Sequence, residues 1–150
     1  METIRISISR EDVYEEVAKA TDYTGSKIDG EDGEARDRIL ADDEDLKNLG
    51  RFWDEAVVAV NENFKEMLVS GEGGGTRYQG VLEVSKSFDK SLAPSVESTL
   101  RSAMIALIIG QWFKFANKGE AKDYFMQGAE FLTAAERLLY SRRKPSIPRD

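Results

Sequence analysis

Between Leu100 and Trp112 the chain reads Leu-Arg-Ser-Ala-Met-Ile-Ala-Leu-Ile-Ile-Gly-Gln-Trp, and its centre, Ala103 to Ile109, has no polar face at any helical phase. A helix that is apolar all round must be covered on every side. A chain of 150 residues with a 41% hydrophobic share supplies part of that cover itself, and the rest is expected from neighbouring subunits. The feature points to an assembly component, with Met104, Ile105, Ile108, Ile109 and Trp112 as the expected subunit interface. The uncharged run from Ser102 to Phe113 is broken by Gly110 and Gln111 and falls short of the roughly 18 residues a bilayer span needs. No transmembrane helix and no membrane partner are expected from it.

Residue chemistry narrows the function further. The chain contains neither cysteine nor histidine, which removes disulfides, thiolate nucleophiles, zinc-thiolate sites and the side chain best suited to proton transfer near neutral pH. No enzyme activity, cofactor, metal or small-molecule substrate is expected. The start, Met1-Glu2-Thr3-Ile4-Arg5, has neither a basic leader nor an apolar signal core, and cytoplasmic synthesis is the expectation. The net charge of −7 is unevenly spread: residues 1–50 carry 15 acids and 7 bases, whereas residues 101–150 carry 5 acids and 9 bases. An acidic front and a basic back suit head-to-tail association of identical subunits, and equally suit two solvated faces that never meet.

Periodicity predicts a mainly α fold: a bundle of about four helices with a long central helix and a small two-stranded β element, forming one domain over 1–141 with an extended tail over 142–150. Ile4, Ile6 and Ile8 alternate with Arg5 and Ser7, the pattern of a half-buried strand. Ser9 stands three residues before Asp12, a helix-start signature, and helix one is predicted to run to about Tyr23 on Val13, Val17 and Ala20 or Thr21, with Gly25 ending it. A polar, glycine-rich loop follows. The longest helix is predicted to open at Asp42 and to run through Val69, on Leu46, Leu49, Trp53, Ala56, Val60, Phe64 and Met67; that is roughly 40 Å at 1.5 Å per residue. After Gly71-Glu72-Gly73-Gly74-Gly75, Tyr78, Leu82 and Val84 alternate with polar residues, as in one strand or a hairpin bent at Gly80. Whether this strand pairs with the first within a subunit or between subunits is left open by the sequence. Pro94 opens the third helix, a tight turn at Asn117-Lys118-Gly119 leads into the fourth, and Gly128 marks a close helix contact within it. The two prolines after Lys144 forbid further helix.

Several motifs resemble reactive sites and are better read as scaffold. The glycine cluster lacks the preceding strand and following Gly-Lys-Ser/Thr of a phosphate loop, so a flexible connector is expected. Ser87-Phe88-Asp89-Lys90 matches a Ser-x-x-Lys pairing without its supporting motifs. Asp29, Glu31 and Asp32 invite calcium, yet counting from Asp29 places Glu34 sixth and Leu40 twelfth, where the calcium loop needs glycine and glutamate. Pairs such as Glu62 with Glu66 and Asp12 with Glu16 lack the histidine of di-iron bundles. Trp53 and Trp112 lie on apolar faces and read first as core, then as interface anchors. The basic residues Arg142, Arg143, Lys144 and Arg149 oppose the helix dipole and equally suit a docking arm for an acidic partner or passing nucleic acid.

The ordering of these parts resembles the head–tail connector, or adaptor, proteins of tailed bacteriophages. The resemblance covers roughly residues 42–150: the acidic helix start Asp42-Asp43-Glu44-Asp45-Leu46, a long amphipathic helix, a strand-like insertion, the Leu100 to Trp112 helix, a last helix and a basic, proline-bearing tail. It implies helical bundles that ring beneath the portal, commonly as twelve copies, and that dock tail components through extended segments while DNA passes through the centre. Partners would then be further copies of the chain, portal and tail proteins and, non-specifically, DNA; the location would be the virion neck. The amino-terminal strand and first helix depart from the family's usual pattern. Two other classes make different predictions. A bacterial helical-bundle interaction module unrelated to phage predicts a monomer or dimer, and a carboxylate-metal enzyme predicts a bound cation.

Overall fold

The computed structural model describes residues 2–29, 46–114 and 117–142, with the side chains of all of these except 22–29 and 46. The element order is β1 (Glu2–Ser9), α1 (Arg10–Asp29), α2 (Leu46–Asn63), β2 (Leu68–Glu72), β3 (Arg77–Val84), a 3-10 turn over Lys90–Leu92, α3 (Ala93–Phe113) and α4 (Lys118–Leu139). The mainly α class is as the periodicity predicts, with four helices among the described residues. The sheet has three antiparallel strands instead of two, in the order β1-β3-β2.

The sheet forms inside one chain, which closes the question of where the strands pair. Ile4 faces Leu82, Ile6 faces Gly80 and Ile8 faces Tyr78 across β1 and β3, and Ile4, Ile6, Ile8, Tyr78 and Leu82 are all buried. One face is therefore packed and the other polar, as a period of two requires. Gly80 leaves β3 unbent. The Tyr78 ring lies over it, with the hydroxyl 3.0 Å from where a Cβ would sit.

The third strand, Leu68–Glu72, starts in sequence predicted as helix through Val69 and ends in the predicted connector. Phe64 and Met67 continue the three-and-four spacing of α2, but the helix stops at Asn63. Phe64 is buried, the Met67 amide donates to the Phe64 carbonyl at 3.0 Å, and the Met67 carbonyl accepts from Glu83 at 2.7 Å. The chain thus turns at Phe64 and enters the sheet, where edge pairing satisfies backbone groups that a longer helix would have left in water. Leu68 pairs with Leu82 and Ser70 with Val81, leaving Val69 bulged out. At 18 residues α2 is about 27 Å long. The expected start over 42–45 lies outside the described residues.

The glycine cluster is a hairpin turn and not a loose connector. Trp53, fully buried, donates its indole N–H to the Gly73 carbonyl at 2.7 Å, and a Cβ on Gly73 would lie 2.6 Å from Val57. Arg10 completes the clamp: its amide donates to the Thr76 carbonyl at 2.9 Å, and its guanidinium lies 5.2 Å from the Tyr14 ring centroid and 5.7 Å from that of Trp53. Ser9 caps α1 as expected, accepting from the Asp12 amide at 3.3 Å. Helix α1 then passes through Gly25 to Asp29 instead of ending at Tyr23. One interior glycine costs only about 1 kcal/mol, and Val13, Val17 and Thr21 are anchored in full burial.

The central helix is α3, not the one that opens near Asp42. It packs against α4, α2, α1 and β1, and its buried residues include Val96, Leu100, Met104, Ile108 and Phe113. The stretch Lys90–Phe113 is longer than the Ser102 to Phe113 run suggested, and with mean hydropathy 1.3 it is long and apolar enough by composition to cross a bilayer. In the fold its Val96, Leu100, Ala103, Met104, Ala106, Ile108, Ile109 and Phe113 are buried within the chain, and Ile105, Leu107 and Trp112 are partly so. Helix α4 approaches closest through glycines. A Cβ on Gly128 would lie 2.7 Å from Leu107 Cδ2, and one on Gly110 would lie 2.8 Å from the Phe125 ring. Asn117, expected in a tight turn, instead caps α4 by accepting from the Glu120 amide at 3.2 Å.

Two measurements check this packing. Gly128→Val should force α3 and α4 apart and lower stability by about 1–3 kcal/mol in urea melts, with far-UV circular dichroism unchanged. The second concerns Tyr78, whose hydroxyl donates to Asn61 Oδ1 at 2.8 Å while Asn61 Nδ2 donates to the Gly71 carbonyl at 3.1 Å. Burial pushes the Tyr78 phenol up to about 12, against about 10 in the unfolded chain. Its stability contribution should be full below pH ~10 and be lost as pH rises through about 12. Tyr78→Phe should lose about 1–3 kcal/mol at neutral pH, because Asn61 loses its donor, and should lack this alkaline decline.

Candidate functional site

Three of the five expected interface residues sit in the chain's own core. Met104 and Ile108 are 0% exposed and Ile109 is 2% exposed, so as folded they have no surface to offer a neighbour. The burial of Met104, Ile108 and Ile109 is therefore supplied within the chain and calls for no other copy. A 150-residue chain wraps α3 with three helices and a strand. Ile105 and Trp112 are only partly buried, packed at the margin of the core, and they alone of the five retain accessible surface. Trp53 is core, as read first; Trp112 keeps both of its readings.

The apolar surface that is open lies at the other end of the helical hairpin. Where α3 gives way to α4, a groove of about 730 Å³ is floored by Ala121, Phe125, Met126 and Ala129 and edged by Lys114, Lys118 and Lys122. Met126 is 54% exposed. The floor is held in place from below, because Phe125 rests on the space left by Gly110, and Tyr124 stacks on Phe113 at 5.9 Å. A groove with an apolar floor and a cationic rim suits an apolar side chain flanked by carboxylates. The signal was present in the sequence as lysines at intervals of four beside Phe125-Met126, but the interrupting turn hid that they share one rim.

The reactive-looking motifs are not assembled. Lys90 Nζ pairs with Glu2 at 3.0 Å while Ser87 Oγ bonds Ser85 Oγ at 2.9 Å, so the Ser-x-x-Lys pair is separated by better partners. Glu62, Glu66, Asp12 and Glu16 are all exposed. Among the described residues no group of three or more acidic, histidine or cysteine side chains could hold a metal ion. Of the acids in the calcium reading, Asp29 closes α1, and Glu31 and Asp32 lie outside the described residues.

Of the basic tail, Arg142 is described, and Arg143, Lys144 and Arg149 lie outside the described residues. After α4 the chain doubles back: Arg142 forms an antiparallel bridge with Phe88, and the Asp89 amide donates to the Ser141 carbonyl at 3.3 Å. Phe88 is itself buried, so the tail leaves from a fixed point beside the sheet.

Burial makes one outcome definite. Ile108→Asp should abolish the cooperative melt of the isolated chain, since an unpaired buried carboxylate costs several kcal/mol against a typical total of about 5–15 kcal/mol. A folded, dispersed monomer from this variant would contradict the packing described. Comparison of the chain with protein-family models, with characterised proteins and with solved structures gives no match.

Proposed function

We propose that this chain is a structural assembly subunit of the head–tail connector type, which associates with copies of itself beneath a portal and docks tail components without catalysing a reaction. One observation carries the reading. From Leu46 to Arg142 the chain runs helix, β-hairpin, apolar helix, amphipathic helix and extended exit, the order that the sequence resemblance rests on. The uneven charge supports it: the acid-rich first third and base-rich last third favour contact between unlike faces of successive copies. The basic tail, anchored at Phe88 and continuing through Arg143, Lys144 and Arg149, serves as the docking arm. Some of its arginines meet passing DNA through phosphate contacts that carry no sequence information.

Native mass spectrometry and negative-stain microscopy test this, on the chain alone and mixed with the portal protein of the same genome. Oligomers of uniform stoichiometry, on the portal at least, are the expected result. A chain ending at Ser141 should keep its helical signal and lose tail docking. Single copies under both conditions would overturn the reading and leave the unrelated interaction module in its place.

A further inference from the structure

The described surface carries a second unsatisfied apolar feature with the opposite electrostatic setting. Val58, on the outer face of α2, is 59% exposed. Asp54 and Glu55 lie one turn before it and Glu62 one turn after, all exposed, and the nearest bases, Arg51 and Lys65, lie two turns away on either side. On a helix these positions share one face, so Val58 is an apolar knob set among three carboxylates. The groove beside α4 is its counterpart, an apolar floor under Lys118 and Lys122. The acids of α4 nearest those lysines, Glu120 and Asp123, do not line the groove.

We propose that Val58 of one copy seats in the lysine-rimmed groove of the next, over Met126, as a head-to-tail contact. This names the partner surface for the assembly reading above and rests on it. The occupant is a second copy because charge excludes the symmetric pairings. Groove against groove would set lysines against lysines, and α2 against α2 would set carboxylates against carboxylates; like charges across an interface cost several kcal/mol. Only the unlike pairing matches. Asp54 and Glu62 lie about 6 Å to either side of Val58 along α2, and Lys122 lies about 6 Å before Met126 along α4, at 1.5 Å per residue, so with Val58 over Met126 one of these carboxylates comes to face Lys122. Helices α2 and α4 each pack on α3, so one copy presents knob and groove from separate elements. A repeated contact between unlike surfaces closes into a ring when the rotation permits.

The absence of cysteine makes the contact directly measurable. Val58→Cys and Met126→Cys single variants, one carrying a size tag, are mixed at high concentration and oxidised. Val69→Cys replaces Val58→Cys as the control, since Val69 is equally exposed at 59%. Mixed disulfide between positions 58 and 126 should exceed the control about tenfold and fall at high salt, and Lys118→Glu with Lys122→Glu should reduce it about tenfold. Asp54→Lys with Glu62→Lys on the Val58→Cys partner should restore it. All these positions are exposed, and circular dichroism checks that each variant folds. A yield equal to the control, or one insensitive to charge reversal, would overturn the contact. If wild type still forms oligomers in native mass spectrometry, the assembly reading survives that result; if wild type remains single both alone and on the portal, both fall together.

Discussion

Enclosure of α3 is the constraint on which the remaining arrangement depends. An apolar segment with no polar face leaves no orientation in which one side meets water, so the other elements are disposed around it. Helix α4 lies against it through Gly110 and Gly128, whose missing side chains let Phe125 and Leu107 fill the gap between the two axes. The sheet contributes its isoleucine face, and α1 and α2 complete the cover with Val13, Val17, Leu49 and Trp53. The hydrophobic effect is non-directional. Direction enters through the specific bonds of Trp53 to Gly73 and Tyr78 to Asn61, which fix the hairpin against α2.

Alternation and helical spacing were legible wherever a single face decides the outcome. Ile4, Ile6 and Ile8, then Tyr78, Leu82 and Val84, are buried as a period of two demands. In α4, Leu132, Ala135 and Leu139 lie on the buried stripe and Gly128 marks the close contact. Boundaries were less legible, because local pattern does not contain them. Phe64 and Met67 sit at helical intervals after Val60, yet β3 offers Leu68 to Glu72 an edge, and that tertiary pairing outweighs continuation of the helix. Gly25 looked terminal and is passed through, and the glycine cluster looked loose because nothing local reveals that the Trp53 indole is waiting for a carbonyl.

The candidate site was legible in kind and misplaced in position. In the sequence the apolar excess points to a partner, but Met104, Ile108 and Ile109 are consumed by the chain's own core. Among the described residues large apolar side chains stay exposed at Val58, Val69, Met126 and Tyr140, single residues that a search for long hydrophobic runs passes over. Val58 and Met126 are set apart by neighbours of opposite charge, carboxylates about the first and lysines about the second. The uneven distribution of acids and bases along the chain was visible from composition, and only the fold shows which carboxylates and which lysines share a neighbourhood with exposed carbon.

The return of Ser141 and Arg142 to the stretch at Phe88 and Asp89 has a mechanical meaning. A tail that simply continued from Leu139 would transmit a pull along the axis of α4 and tend to fray its last turn. Anchored by the Arg142 bridge and the Asp89 amide, the same pull is delivered to the linker between β3 and α3, a stretch pinned by the buried Phe88 ring. A pull applied beyond Arg142 would therefore load the junction of sheet and central helix first, and α4 would be shielded until that short backbone handle gave way.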